Sequence, residues 1–213
     1  MNAKKMPTLH VYELSRLVHA RAADWEKKLK EIREGRDRAY GYYHPMREAV
    51  VRLCAGRGKN REKIVSALIA EAQQMSRARG QNPEKDNLSA FESFESACHP
   101  RIAKFVRSLL RTPQENGVAF EGILLTGAPH FEAVDRSGTT RFVFLHASKW
   151  TDEDLKAYLE LLCVILEKRF GAVDGNLWYM DLRNGKTLTY RASTRMRQRC
   201  INAAHHFCRL ADS

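Results

Sequence analysis

The spacing of apolar residues along this chain changes period near residue 112, and that change limits the possible folds more than any other feature. From Val11, the residues Leu14, Val18, Ala22, Trp25, Leu29 and Ile32 recur at steps of three and four, which predicts one long helix with a single apolar face. That stripe suits covering the chain's own core. Shorter helices are expected over residues 46–54 and 60–79, and from Pro83 to about Thr112 the spacing predicts two more, meeting near His99 and Pro100. Beyond that point the apolar runs shorten. Residues 118–125, 131–134 and 142–145 are separated by Gly127, Pro129 and the turn Asp135-Arg136-Ser137-Gly138, which predicts three strands, the last two as a hairpin.

A helix opens after Thr151, a suitable N-cap with Asp152, Glu153 and Asp154 in the first turn, and stops before Gly171. Residues 176–182 read as a strand, Asn184-Gly185 as a type I′ turn, and residues 186–190 as its partner strand. Ser193 caps a last helix. The expected class is α/β (α+β), a mixed sheet flanked by helices over residues 98–213, preceded by a basic helical region over residues 1–97.

No apolar run approaches the ~20 residues that cross a bilayer, and no apolar stretch follows Met1–His10 as in a secretory signal. A cytoplasmic protein without membrane partners is expected. Five scattered cysteines with no Cys-x-x-Cys pair are expected to be reduced. Cys200, His205, His206 and Cys208 do not converge on a helix, so they predict no zinc site.

Charge carries the functional signal. The net charge is +11, and residues 181–213 alone hold seven basic and two acidic side chains. A polyanionic partner follows naturally from such a balance. Two clusters stand out. Arg57, Lys59, Arg61 and Lys63 lie about Gly56 and Gly58 in a loop suited to gripping phosphates, without the order of a Walker A motif. Lys186, Arg191, Arg195, Arg197 and Arg199 surround the start of the last helix, where the dipole favours acids, so the arginines need another cause.

Three stretches, with the element order, carry a family resemblance over roughly the C-terminal half: Leu125-Thr126-Gly127-Ala128-Pro129-His130-Phe131, Phe142-Val143-Phe144-Leu145-His146-Ala147-Ser148, and Trp178-Tyr179-Met180-Asp181-Leu182-Arg183-Asn184-Gly185-Lys186. The chain resembles the PD-(D/E)XK nuclease superfamily, especially its RecB-type branch. In active members the resemblance implies two carboxylates and a lysine on the second and third strands, holding a divalent ion that activates water. Here the matching positions hold His130, then His146 and Ser148. The resemblance therefore implies the fold and a nucleic-acid-binding, catalytically inactive, nuclease-like protein with no cofactor.

Two alternatives stand beside it. One is a nuclease using Mg or Mn through relocated Glu121, Glu132, Asp135 and Lys149, although a one-residue slide on a strand turns a side chain to the other face. In a variant of it, His130 and His146 ligate a transition metal. The other alternative is a protein-interaction subunit of a bacterial nucleic-acid-processing or defence assembly, its helices docking a protein partner.

Overall fold

In the computed structural model, residues 6–40, 42–56, 58–75, 82–111, 117–147, 150–171 and 175–212 are described. The protein is mixed α/β. Strands β1 (Thr8–His10), β3 (Val118–Phe120) and β4 (Ile123–Thr126) form a small sheet in the order β1-β4-β3. Strands β2 (Val106–Arg111), β5 (Phe131–Asp135), β6 (Thr140–His146), β7 (Leu177–Asp181) and β8 (Lys186–Tyr190) form a larger one in the order β2-β5-β6-β7-β8. Only β6 and β7 run parallel in the larger sheet, joined by helix α7 (Asp152–Phe170) as the crossover.

Alternation along the central strands divides the core into two layers, because successive side chains point to opposite faces. Phe142 and Phe144 of β6, with Leu177 and Tyr179 of β7, meet α1 (Val11–Leu17), α2 (Trp25–Tyr40), α7 and α8 (Thr194–Asp212). Val143, Leu145, Trp178 and Met180 meet α3 (His44–Ala55), α4 (Arg61–Gln73), α5 (Pro83–Ser93) and α6 (His99–Phe105) on the other face. Burial on both faces is why β6 reads as an unbroken apolar run. The boundary expected at 97/98 falls inside a π-helical turn, Phe94–Cys98, whose Phe94 shares a core with Phe131 and Val143.

Several local expectations match. The β5–β6 hairpin and the β7–β8 hairpin are antiparallel and in place. Thr151 caps α7 by accepting the Asp154 N–H at 3.1 Å, and Ser193 Oγ accepts from Met196 N at 3.3 Å. Replacing Thr151 by Ala is expected to cost about 1 kcal/mol, read from urea unfolding midpoints. Just before Pro100, which cannot donate to the carbonyl four residues back, the helix widens into its π turn.

Other expectations are corrected. The single helix from Val11 breaks after Leu17, and α2 folds back against α1, so that Leu14, Leu17, Trp25 and Ile32 enter one core. Arg33 pairs with the buried Glu13 at 3.3 Å across that corner. The stripe covers the chain's own core, as expected. Residues 106–111 are a strand rather than the end of a helix, paired antiparallel with β5. Residues 118–125 are a tight hairpin, turning at Glu121 and Gly122, not one strand.

Candidate functional site

His130 and His146 come together at the end of the larger sheet where β6 terminates. The His130 N–H donates to the Val143 carbonyl at 2.9 Å, its Nδ1 accepts the Leu145 N–H at 2.9 Å, and its ring stacks on Phe144 at 4.8 Å. His146 lies beside Asp181 of the parallel neighbour, with Trp150 and Tyr179 rings at 5.1 and 5.8 Å. His130 Nε2 faces the Arg47 guanidinium of α3 at 3.3 Å. These groups do not fit a divalent cation. One His130 nitrogen is occupied by a backbone donor, the other faces a positive charge, and a metal would have to displace both. Among the described residues, no three His, Cys, Asp or Glu side chains gather as metal ligands.

The relocated acids are dispersed as well. Asp135 organises its own turn: its carboxylate accepts the Ser137 and Thr139 N–H groups at 2.9 Å and pairs with Arg141 at 3.2 Å. Those donors, the Ser137 hydroxyl above all, hold its carboxyl below the ordinary range. At 3.3 Å per residue, Asp135 stands roughly 16 Å along β5 from His130. Glu121 sits in the β3–β4 turn of the small sheet and pairs with His205 of α8 at 2.8 Å. Glu132, half-buried on β5, lies between Leu110 and Phe142 of the neighbouring strands. Ser148 and Lys149 lie outside the described residues.

Burial, then Arg47 and His146, push the His130 pKa well below its ordinary value of 6.5. Its unfolded form thus binds a proton in a window where the folded form does not, so stability rises with pH there and falls on acidification below about pH 6.5. Unfolding free energies at pH 7.5 and 5.5 are expected to differ more for the native chain than for His130→Gln, by up to about 1.4 kcal/mol per pH unit.

A second region forms where β8 passes into α8. Its centre is Glu160 of α7, fully buried. The Glu160 carboxylate accepts the Ser193 N–H at 2.7 Å, the Tyr190 hydroxyl at 3.1 Å and Arg197 Nε at 2.7 Å. Arg197 also forks onto Glu167 at 2.7 and 3.1 Å. Two carboxylates of the protein itself thus take up the donors of Arg197, which the sequence reading directs at a phosphate. Burial and Glu160 raise the Tyr190 pKa, keeping the phenol a donor.

Helix geometry separates Arg197 from its neighbours. At about 100° per residue, Arg195 and Arg199 share one side of α8 while Arg197 points to the other. With Lys156 and Ser193 they line a pocket of about 260 Å³, rimmed by Glu153. Among the described residues, Lys156, Lys186, Arg191, Arg195 and Arg199 have no ion pair, whereas Arg16, Arg33, Arg52, Arg61, Arg141 and Arg197 all have one. Sequence reasoning missed Lys156, which no basic cluster marks. It joins the site only because α7 packs on α8.

The other expected cluster is thinned in the same way. Arg61 Nε donates to both carboxylate oxygens of Glu95 at 2.8 Å, and the neighbouring Arg52 pairs with Glu71 at 3.0 Å. Lys59 and Lys63 remain exposed, and Arg57 lies outside the described residues. A wider groove of about 640 Å³ beside β2 is lined by Cys54, His99, Ile102, Leu109 and Arg136, the last being the one Lys or Arg among its described lining residues. Among the described residues, the β8–α8 corner thus brings Lys156, Arg195 and Arg199, none of them in an ion pair, to one pocket. No family model matches the chain, and no curated protein or solved structure matches it either.

Proposed function

We propose that this protein binds nucleic acid through phosphate contacts at the β8–α8 corner, on a PD-(D/E)XK-like core that has lost its metal-binding acids. The observation that carries the proposal is the contrast among the cations. Lys156, Arg195 and Arg199 line one pocket with Glu153 at its rim and form no ion pair among the described residues, and Lys186 and Arg191 lie exposed on β8 and at its end, while Arg16, Arg33, Arg52, Arg61, Arg141 and Arg197 are each paired with an acid. Unpaired cations raise the free energy of a folded chain by mutual repulsion, and a polyanion relieves it. Such contacts give affinity and register without reading sequence.

Binding rather than cleavage is the reading, because the residues at the His130 and His146 positions do not fit a divalent ion and Asp135 is held in its turn. A paired and an unpaired arginine provide the test. In fluorescence anisotropy with labelled DNA and RNA, single- and double-stranded, Arg195→Gln is expected to weaken binding and Arg61→Gln to leave it nearly unchanged. Equal losses in both variants would remove the β8–α8 corner from the interface, and no binding to any of the four would end the proposal.

A further inference from the structure

The pocket between α7 and α8 has a charge balance that fits one kind of phosphate better than another. Its charged lining is Lys156, Arg195 and Arg199 against Glu153, three positive side chains and one negative. A phosphate inside a nucleic acid strand is a diester with a single negative charge, whereas a phosphate at a strand end is a monoester carrying about −1.5 to −2 at pH 7. The diester leaves part of the pocket's positive charge unmatched. The monoester matches it.

Volume and donors point the same way. The pocket's volume, about 260 Å³, lies below the roughly 300–1,000 Å³ of pockets that enclose a drug-sized ligand, so it suits one phosphate with part of its sugar. An internal phosphate brings chain on both sides and an end phosphate on one, so an end enters a recess between two helices with less obstruction. Among the described residues, Lys156, Arg195 and Arg199 form no ion pair and no side-chain hydrogen bond, which leaves their donors for a ligand. The Ser193 hydroxyl accepts from Met196 N at 3.3 Å and keeps its own proton to donate. Ser193 is itself fixed by the buried Glu160, which accepts its N–H at 2.7 Å.

We propose that this pocket seats the terminal phosphate of a nucleic acid strand, so that the protein favours phosphorylated strand ends. The seat depends on the nucleic-acid interface proposed for the β8–α8 corner and adds a choice of ligand to it. Phosphates further along the strand meet the exposed Arg191 and Lys186. Where a strand has no end phosphate, the pocket cations meet diesters and bind them less tightly. Arginine's planar fork and the lysine charge suit the three free oxygens that a 5′- or a 3′-phosphate presents alike.

The test titrates the full chain with short DNA and RNA oligonucleotides, single- and double-stranded, labelled at one end. The other end, 5′ or 3′, carries a phosphate, a methyl phosphate diester or a hydroxyl. The phosphate is expected to bind at least about fivefold tighter than the methyl diester, which has similar bulk and one charge fewer. Whichever end shows the larger ratio is the end that is seated. Arg195→Gln and Lys156→Gln are each expected to reduce that ratio, whereas Arg191→Gln, outside the pocket lining, weakens all the ligands and keeps it. Equal affinity for phosphate and methyl diester at both ends overturns the seat while leaving the interface standing, and this comparison needs no variant. A ratio unchanged in both Arg195→Gln and Lys156→Gln also overturns it. A phosphoserine peptide that displaces the phosphorylated strand at equal concentration overturns the assignment to a strand end. Failure of every oligonucleotide to bind removes the interface itself, and the seat with it.

Discussion

Replacing Glu160 by Ala is expected to cost about 3 kcal/mol of stability. The carboxylate is fully buried and takes three donors, from Ser193, Tyr190 and Arg197. Truncation leaves those donors facing a cavity, and breaking a buried pair from one side typically costs 3–5 kcal/mol. The lower end applies because Arg197 is 31% exposed and keeps its fork on Glu167. For a domain of this size the loss corresponds to a fall of roughly 6–12 °C in Tm. Glu160→Gln keeps the shape and one acceptor, so its cost should be smaller. Thermal and urea unfolding measure both. A change under 1 kcal/mol in Glu160→Ala would mean that the α7–α8 corner is not held as described.

The second large effect is on binding. Neutralising Lys156, Arg195 and Arg199 together is expected to lower affinity for nucleic acid by roughly 10²-fold at 0.15 M salt. Each phosphate contact contributes a slope of about 0.9 in log K against log salt, so three contacts carry about 2.7. Over the 0.8 log units between 0.15 and 1 M salt, that slope amounts to about two decades of affinity. The triple variant should remain folded, because none of these side chains forms an ion pair among the described residues. Arg197→Gln should behave in the opposite way, losing stability through Glu160 and Glu167 while leaving the salt slope nearly unchanged. The contrast between those two variants separates a surface charge from a structural one.

Legibility in the sequence followed the range of the interactions. Local chemistry was readable: the Thr151 cap, the Asp135–Gly138 turn and the Asn184-Gly185 turn depend on residues within four positions of each other. So did the doubly buried strand β6, whose apolar run has no helical spacing. Strand β2 was not readable, because Ile102, Phe105 and Leu109 keep helical spacing into it and no Gly or Pro marks the junction. Its strand state comes from pairing with β5, more than 20 residues on. The corner between α1 and α2 was hidden for a similar reason, since a stripe of apolar residues looks the same whether the helix continues or folds back.

The site divides along the same line. Clustered arginines were visible, and helix geometry alone could have set Arg197 apart from Arg195 and Arg199. Which arginines are spent internally could not be read, because Arg197 finds Glu160 and Glu167 at separations of 37 and 30 residues, and Arg61 finds Glu95 at 34. His130 was singled out for the acid it replaces. The donors it faces, Leu145 N–H and Arg47, became visible only when β6 and α3 were placed around it.

Phosphate binding at the β8–α8 corner is tested most directly by a salt series on the unmodified protein. Anisotropy of a labelled oligonucleotide is followed from about 50 to 200 mM salt, the range over which phosphate contacts lose affinity steeply. Log K is expected to fall linearly with log salt, with a slope of at least about 2.7 for three contacts and more if Lys186 and Arg191 take part. No binding at the lowest salt, or binding that does not weaken across the series, would contradict it.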